Sequence, residues 1–183
     1  MTAVDWAGLH RAAQAACARA YAPYSTFPVG AAALVDDGRI VAGCNVENAS
    51  YGIGLCAECG LVSALVAGGG GRLVALACVD ATGGPLMPCG RCRQLLWEHA
   101  AEDMLVDSSD GPIPMADLLP RAFGRSDLDR VAAAGAGSTD ARHEQGQAPI
   151  GRDPRNPDPR DTAALYRAVA SPSPDTFDPE DLR

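Results

Sequence analysis

The sequence predicts a three-layer α/β/α fold whose mixed sheet is opened by an antiparallel hairpin. Three observations point to it. Two β-rich runs flank a tight-turn signature near the N-terminus, and two later apolar strands are each preceded by a helical pattern. The 183 residues are 47% hydrophobic, enough for one domain with its own core.

The elements follow in order. Residues 4–21 carry Val4, Leu9, Ala13, Ala16, Cys17 and Ala20 near helical spacing, and the pattern stops before Pro23. Val29 to Val35 and Ile40 to Val46 read as the two strands of a hairpin around Asp36-Asp37-Gly38, where Gly38 supplies the positive φ of the turn. After the irregular "ENASYGIG", a helix is expected from Cys56 to about Ala67, ending at Gly68 to Gly71. A strand over Leu73 to Val79, a helix from Gly90 to about Ala100 and a strand over Met104 to Val106 complete the set. Crossover connections of this kind imply a largely parallel region beyond the hairpin. The four glycines follow a helix and precede a strand, the reverse of a phosphate-binding loop, and read as a flexible helix terminus. Residues 131–183 hold seven of the fourteen prolines and few large apolar side chains, so the expected division is a catalytic domain over 1–130 and a disordered tail over 131–183. A short helix over Thr162 to Val169 is the one element considered there.

Composition removes several function classes. The net charge is −8, which disfavours a nucleic-acid partner, and no apolar run has the roughly 20 residues of a membrane span. All fifteen basic residues are arginine, so lysine Schiff-base chemistry and a Walker lysine are excluded. Seven cysteines, an odd number, and the lack of an N-terminal apolar leader make a reducing cytoplasm the expected compartment. His10, His99 and His143 are scattered, so a metal site must be built mainly on sulfur.

Two Cys-x-x-Cys pairs supply that sulfur, "CAEC" at Cys56 to Cys59 and "CGRC" at Cys89 to Cys92. Two readings compete. Four thiolates from Cys56, Cys59, Cys89 and Cys92 close a structural zinc site of a binding module; three, from Cys56, Cys89 and Cys92, leave a fourth position open for catalysis. A thioredoxin-like redox pair is a third possibility. Cys56 and Cys89 fall at predicted helix N-termini, where free amides favour thiolate. Glu58 discriminates, because a carboxylate beside three thiolates only adds like charge to a structural site, whereas a hydrolytic site needs a proton carrier.

The motifs "AYAPYSTFPVGAA", "GCNVENASYG", "CAE", "PCGRCRQ" and "LLPRAFG", spread over about residues 7–128, resemble the cytidine deaminase family in its small, homotetrameric, nucleoside-acting form. A metal ligand, one residue, then glutamate, followed by Pro-Cys-x-x-Cys, is the zinc deaminase signature. The resemblance implies a cytidine deaminase-like fold and one Zn²⁺ on Cys56, Cys89 and Cys92. It further implies Glu58 shuttling protons from the zinc-bound water, and hydrolysis of cytidine and deoxycytidine to uridine and deoxyuridine with release of ammonia, a pyrimidine salvage reaction. Asn45 and Glu47 would bond the sugar hydroxyls, Phe27 would pack near base and sugar, and Ala49 and Tyr51 would complete a pocket shared between subunits of a homotetramer. Phe123 would cover the pyrimidine from a neighbouring chain. Taken without the motif, Phe27 and Phe123 read as core residues, Asn45 as a turn former and Glu47 as a solvated loop carboxylate. Cys17, Cys44 and Cys78 read as small buried hydrophobes. The chain departs from the family pattern at Cys59, where relatives place an arginine that offsets thiolate charge; Arg91 is the nearest substitute in sequence.

Overall fold

The computed structural model describes residues 4–136. Helix α1 (Trp6–Cys17) is capped by the Asp5 carboxylate, which accepts from the Gly8 N–H at 2.9 Å. Strands β1 (Val29–Val35) and β2 (Ile40–Cys44) form the expected hairpin, with Gly38 at φ 89° in its turn. A 3₁₀ turn (Tyr51–Ile53) leads to α2 (Ala57–Ala67), then β3 (Leu73–Asp80), α3 (Gly90–His99) and β4 (Ala100–Val106). Three further elements, β5 (Ile113–Pro114), α4 (Met115–Leu118) and α5 (Arg125–Ala136), follow beyond the last strand expected from the sequence.

The sheet runs β2-β1-β3-β4-β5, and only β3 and β4 pair in parallel. The expectation of a largely parallel region is therefore corrected. The β2–α2–β3 crossover does send β3 in the direction of β2, but β3 docks on the far side of β1, so their pairing is antiparallel. Chain direction was readable from the crossover; adjacency was not.

Three layers follow from the alternation of side chains along β1 and β3. Ala32, Ala75, Ala77 and Val79 pack against Leu9, Ala13 and Cys17 of α1. Ala31, Ala33, Val35, Leu76 and Cys78 face the other way, into a core with Leu61 and Leu65 of α2 and Leu96 of α3. Glycine brings the helix backbones onto the sheet at one point on each face. A Cβ at Gly30 would collide with the backbone of Ala13 and Cys17, and one at Gly43 with the backbone of Ala57 and Leu61.

The glycine run after α2 is bracketed. Gly69, Gly70 and Gly71 all have positive φ, and Arg39, from the hairpin, donates Nη1 to the Gly68 carbonyl (2.8 Å) and Nη2 to the Gly70 carbonyl (2.7 Å). A guanidinium at the carbonyl end of a helix also suits its dipole. Helix α5 runs across the expected domain boundary after Arg130. The remainder of the expected tail, with the helix considered at Thr162 to Val169, lies outside the described residues. No helix among the described residues is long and apolar enough to cross a membrane.

Candidate metal centre and cavity

Two helix starts build the centre. Cys56 is the N-cap of α2 and Cys89 the N-cap of α3, each in extended conformation, with Cys92 in the first turn of α3. The contact between α2 and α3 brings the three sulfurs within 4.8 Å of one another, with Cys56 Sγ and Cys89 Sγ 3.9 Å apart. Zinc bound to sulfur at about 2.3 Å in a tetrahedron needs sulfurs about 3.8 Å apart, so this donor set fits the ion. Cys59 is not part of the cluster; its Sγ instead accepts from Arg91 Nη2 at 3.2 Å. The four-sulfur staple is not the arrangement that the fold builds, and all seven cysteines are free thiols.

The three thiols differ in acidity, each with its own physical cause. Cys89 is drawn below the ordinary thiol value, chiefly by the backbone amide of Cys92 at the open helix end. Cys56 is pushed up by burial, and the charge of Cys89 adds to that. Cys92 is pushed far up by burial first, then by the charge of Glu58. Thiolates crowded together resist ionisation until a dication offsets their repulsion, so binding metal here releases protons.

Glu58, in the first turn of α2, is 5% exposed. It lines a cavity of about 390 Å³ together with Cys56, Cys89, Phe27, Asn45 and Glu47. Burying a carboxylate is costly, and its place at a helix N-terminus offsets part of that cost. Cys78 of β3 lines the same cavity, and its thiol is held well above its usual range by burial and then by Glu58. Cys78 is at the same time the buried core residue that the sequence predicts, 2% exposed and packed in the cluster with Leu61 and Leu76. The alternation that puts it on the face of Leu76 is what also brings it to the cavity wall.

Asn45 and Glu47 reach the cavity while organising the loop that carries Phe27. Asn45 Oδ1 accepts from the Val29 N–H (2.8 Å) and Nδ2 donates to the Phe27 carbonyl (3.0 Å). Glu47 Oε2 accepts from the amides of Tyr24 (2.9 Å) and Ser25 (3.2 Å). The Ser25 side chain, then the Tyr24 amide, hold that carboxylate below its ordinary value. The remaining expected site residues stand apart within this chain. Ala49 is exposed, and Tyr51, 83% exposed, stacks edge-on against Tyr24 at 6.0 Å beside a neighbouring depression that Glu47 also lines. Phe123 lies in a different depression with Glu98 and Leu128, its carbonyl accepting from Gln94 Nε2 (2.9 Å). Arg93 ties the Pro88 and Leu118 carbonyls together and is a packing residue.

This geometry can be set beside known proteins. The model of the cytidine and deoxycytidylate deaminase zinc-binding region matches residues 6–107. A cytidine deaminase of Mycobacterium tuberculosis is 62% identical over 130 residues, covering 71% of this chain and 98% of that protein. Another from Sporosarcina psychrophila is 44% identical over 119 residues, 62% of this chain and 88% of the relative. The crystal structure of cytidine deaminase from Mycobacterium tuberculosis aligns with TM-score 0.65 and 62% identity, covering 67% of this chain and 99% of that one. That of the Mycobacterium leprae cytidine deaminase gives 0.64 and 59%, covering 65% and 100%.

Proposed function

Since the chain belongs to the cytidine and deoxycytidylate deaminase family, we propose that it hydrolyses the exocyclic amine of cytidine and deoxycytidine, releasing ammonia and leaving uridine and deoxyuridine for pyrimidine salvage. The observation that carries this reading is a buried carboxylate, Glu58, lining one cavity with two sulfurs of a three-cysteine cluster. Cys56, Cys89 and Cys92 would hold Zn²⁺, which when bound supplies Lewis acidity and brings water within reach of ionisation near neutral pH.

The chain's own residues do the rest. Glu58 accepts a proton from the attacking water and returns it to the leaving amine, so one carboxylate serves both halves of the exchange of C–N for C–O. Its burial keeps bulk water from competing for that proton. Phe27 packs against the ring and sugar. Asn45 and Glu47, already fixed through the 24–29 loop, offer polar atoms to the sugar hydroxyls with little further loss of freedom. None of the residues lining the cavity is basic, which favours an uncharged nucleoside over a nucleotide. The apolar side chains of Phe27, Tyr51, Ile53 and Leu55 stand half to mostly exposed around this region. Such a surface suits burial against further copies in a homotetramer, where Ala49, Tyr51 and Phe123 would reach a neighbour's pocket. The catalytic part corresponds to about residues 1–130.

Incubation with cytidine, deoxycytidine and deoxycytidylate tests the reading, following ammonia and pyrimidine absorbance with zinc quantified on the same sample. One zinc per chain and ammonia equimolar with uridine are expected, with deoxycytidylate much the poorest substrate. Zinc-loaded protein that releases no ammonia from any of them would overturn it.

A further inference from the structure

Three thiolates and one Zn²⁺ sum to −1, and the carboxylate of Glu58 adds another negative charge in a buried setting. Opposing cations are scarce. Arg93 is committed to the Pro88 and Leu118 carbonyls, Arg39 to the far end of α2, and Arg72 to the Glu98 carbonyl. Arg91 differs. It lies between two ligands on α3, reaches across to α2, and donates Nη2 to Cys59 Sγ at 3.2 Å. Among the described residues no carboxylate forms an ion pair with it, so its charge is not neutralised locally.

We propose that Arg91 is the positioning cation of the metal cluster, held over it by Cys59, and that this cross-helix pair replaces a charge carried on α2 itself. This rests on the zinc reading above. Cys59 is well suited to the anchor because sulfur is a weak, polarisable acceptor that orients a guanidinium without neutralising it as a carboxylate would. The contact also ties α2 to α3, one residue before Cys92 and three residues after Cys56, so charge and spacing have to be separated by experiment.

The experiment measures zinc release from the full-length holoenzyme to a coloured chelator, with zinc content of the unmutated protein established first. A zinc-free unmutated protein would mean failure of the deaminase reading itself. Arg91→Ala and Arg91→Gln are expected to speed release about 10- to 100-fold, the range for partners just outside the ligand set. Arg91→Lys, and Arg91→Ala combined with Cys59→Arg, should return release to near the unmutated rate, because each restores a cation. Circular dichroism and thermal melts check folding, and Arg91→Gln carries the test if Arg91→Ala does not fold. Unchanged release in both neutral variants would overturn the proposal. So would faster release that neither Arg91→Lys nor the relocated arginine rescues, since that describes a packing tie. Cys59→Ser losing zinc as readily as Cys56→Ser would make Cys59 a ligand and overturn it as well.

Discussion

Cys17 and Cys56 each sit at an end of a helix laid directly on a sheet glycine, Gly30 under α1 and Gly43 under α2. The two faces of the sheet are built alike, yet one is inert. Cys17 closes the C-terminal end of its helix, where carbonyls point outward, and burial with the charge of Asp80 pushes its thiol up. Cys56 opens its helix, where amides point outward, and two further sulfurs from α3 converge on it. Which end of the helix a cysteine occupies, and what faces that end, decides whether it could serve as a metal ligand. Burial is the leading cause that raises either thiol, so it does not tell them apart.

The largest expected effect breaks that comparison from the active side. Cys89→Ser should abolish stable zinc binding and with it deamination, read by metal analysis and ammonia release, because a neutral hydroxyl replaces an anionic ligand. Cys17→Ser should leave the metal content unchanged. Next comes Glu58→Gln, which keeps zinc but should lose at least about 10² in kcat, the lower end of acid–base contributions. Near-normal turnover would remove Glu58 from the chemistry.

The glycines sharpen the comparison further. Gly30→Ala and Gly43→Ala should each cost about 1–3 kcal/mol in denaturant unfolding, the range for overpacking. Only Gly43→Ala should also weaken zinc retention, because it displaces the helix that carries Cys56 and Glu58. Equal effects of both on zinc would mean that the faces are mechanically coupled. The smallest effect is that of Cys17→Ser on stability, about 1 kcal/mol for placing a hydroxyl on an apolar face.

Much of the site was legible because its signals are local. Cys56, Cys59, Cys89 and Cys92 stand out as two Cys-x-x-Cys pairs with Glu58 inside the first, so the candidates were gathered from local motifs, although spacing alone did not separate Cys59 from the other three. Features that depend on what lies across a gap were not legible. The docking of β3 beside β1, the bonds from Asn45 to Val29 and Phe27, and the reach of Arg91 to Cys59 are set by packing between segments sixteen or more residues apart. Tyr51 and Phe123 were assigned through family motifs, and a single chain leaves both outside the cavity that contains Glu58.

The bracket that Arg39 throws around the Gly68 and Gly70 carbonyls bears on how this protein can drift in evolution. Runs of glycine are where chains usually absorb insertions, since a longer loop costs little closure entropy. Here the spacing of the two carbonyls is matched to one guanidinium, and three successive residues hold positive φ to present them. An added residue would uncouple the end of α2 from the hairpin and leave helix-terminal carbonyls to find other donors. Length variation in this family member should therefore be tolerated more readily at the exposed turn around Asp110 and Gly111 than in its most glycine-rich loop.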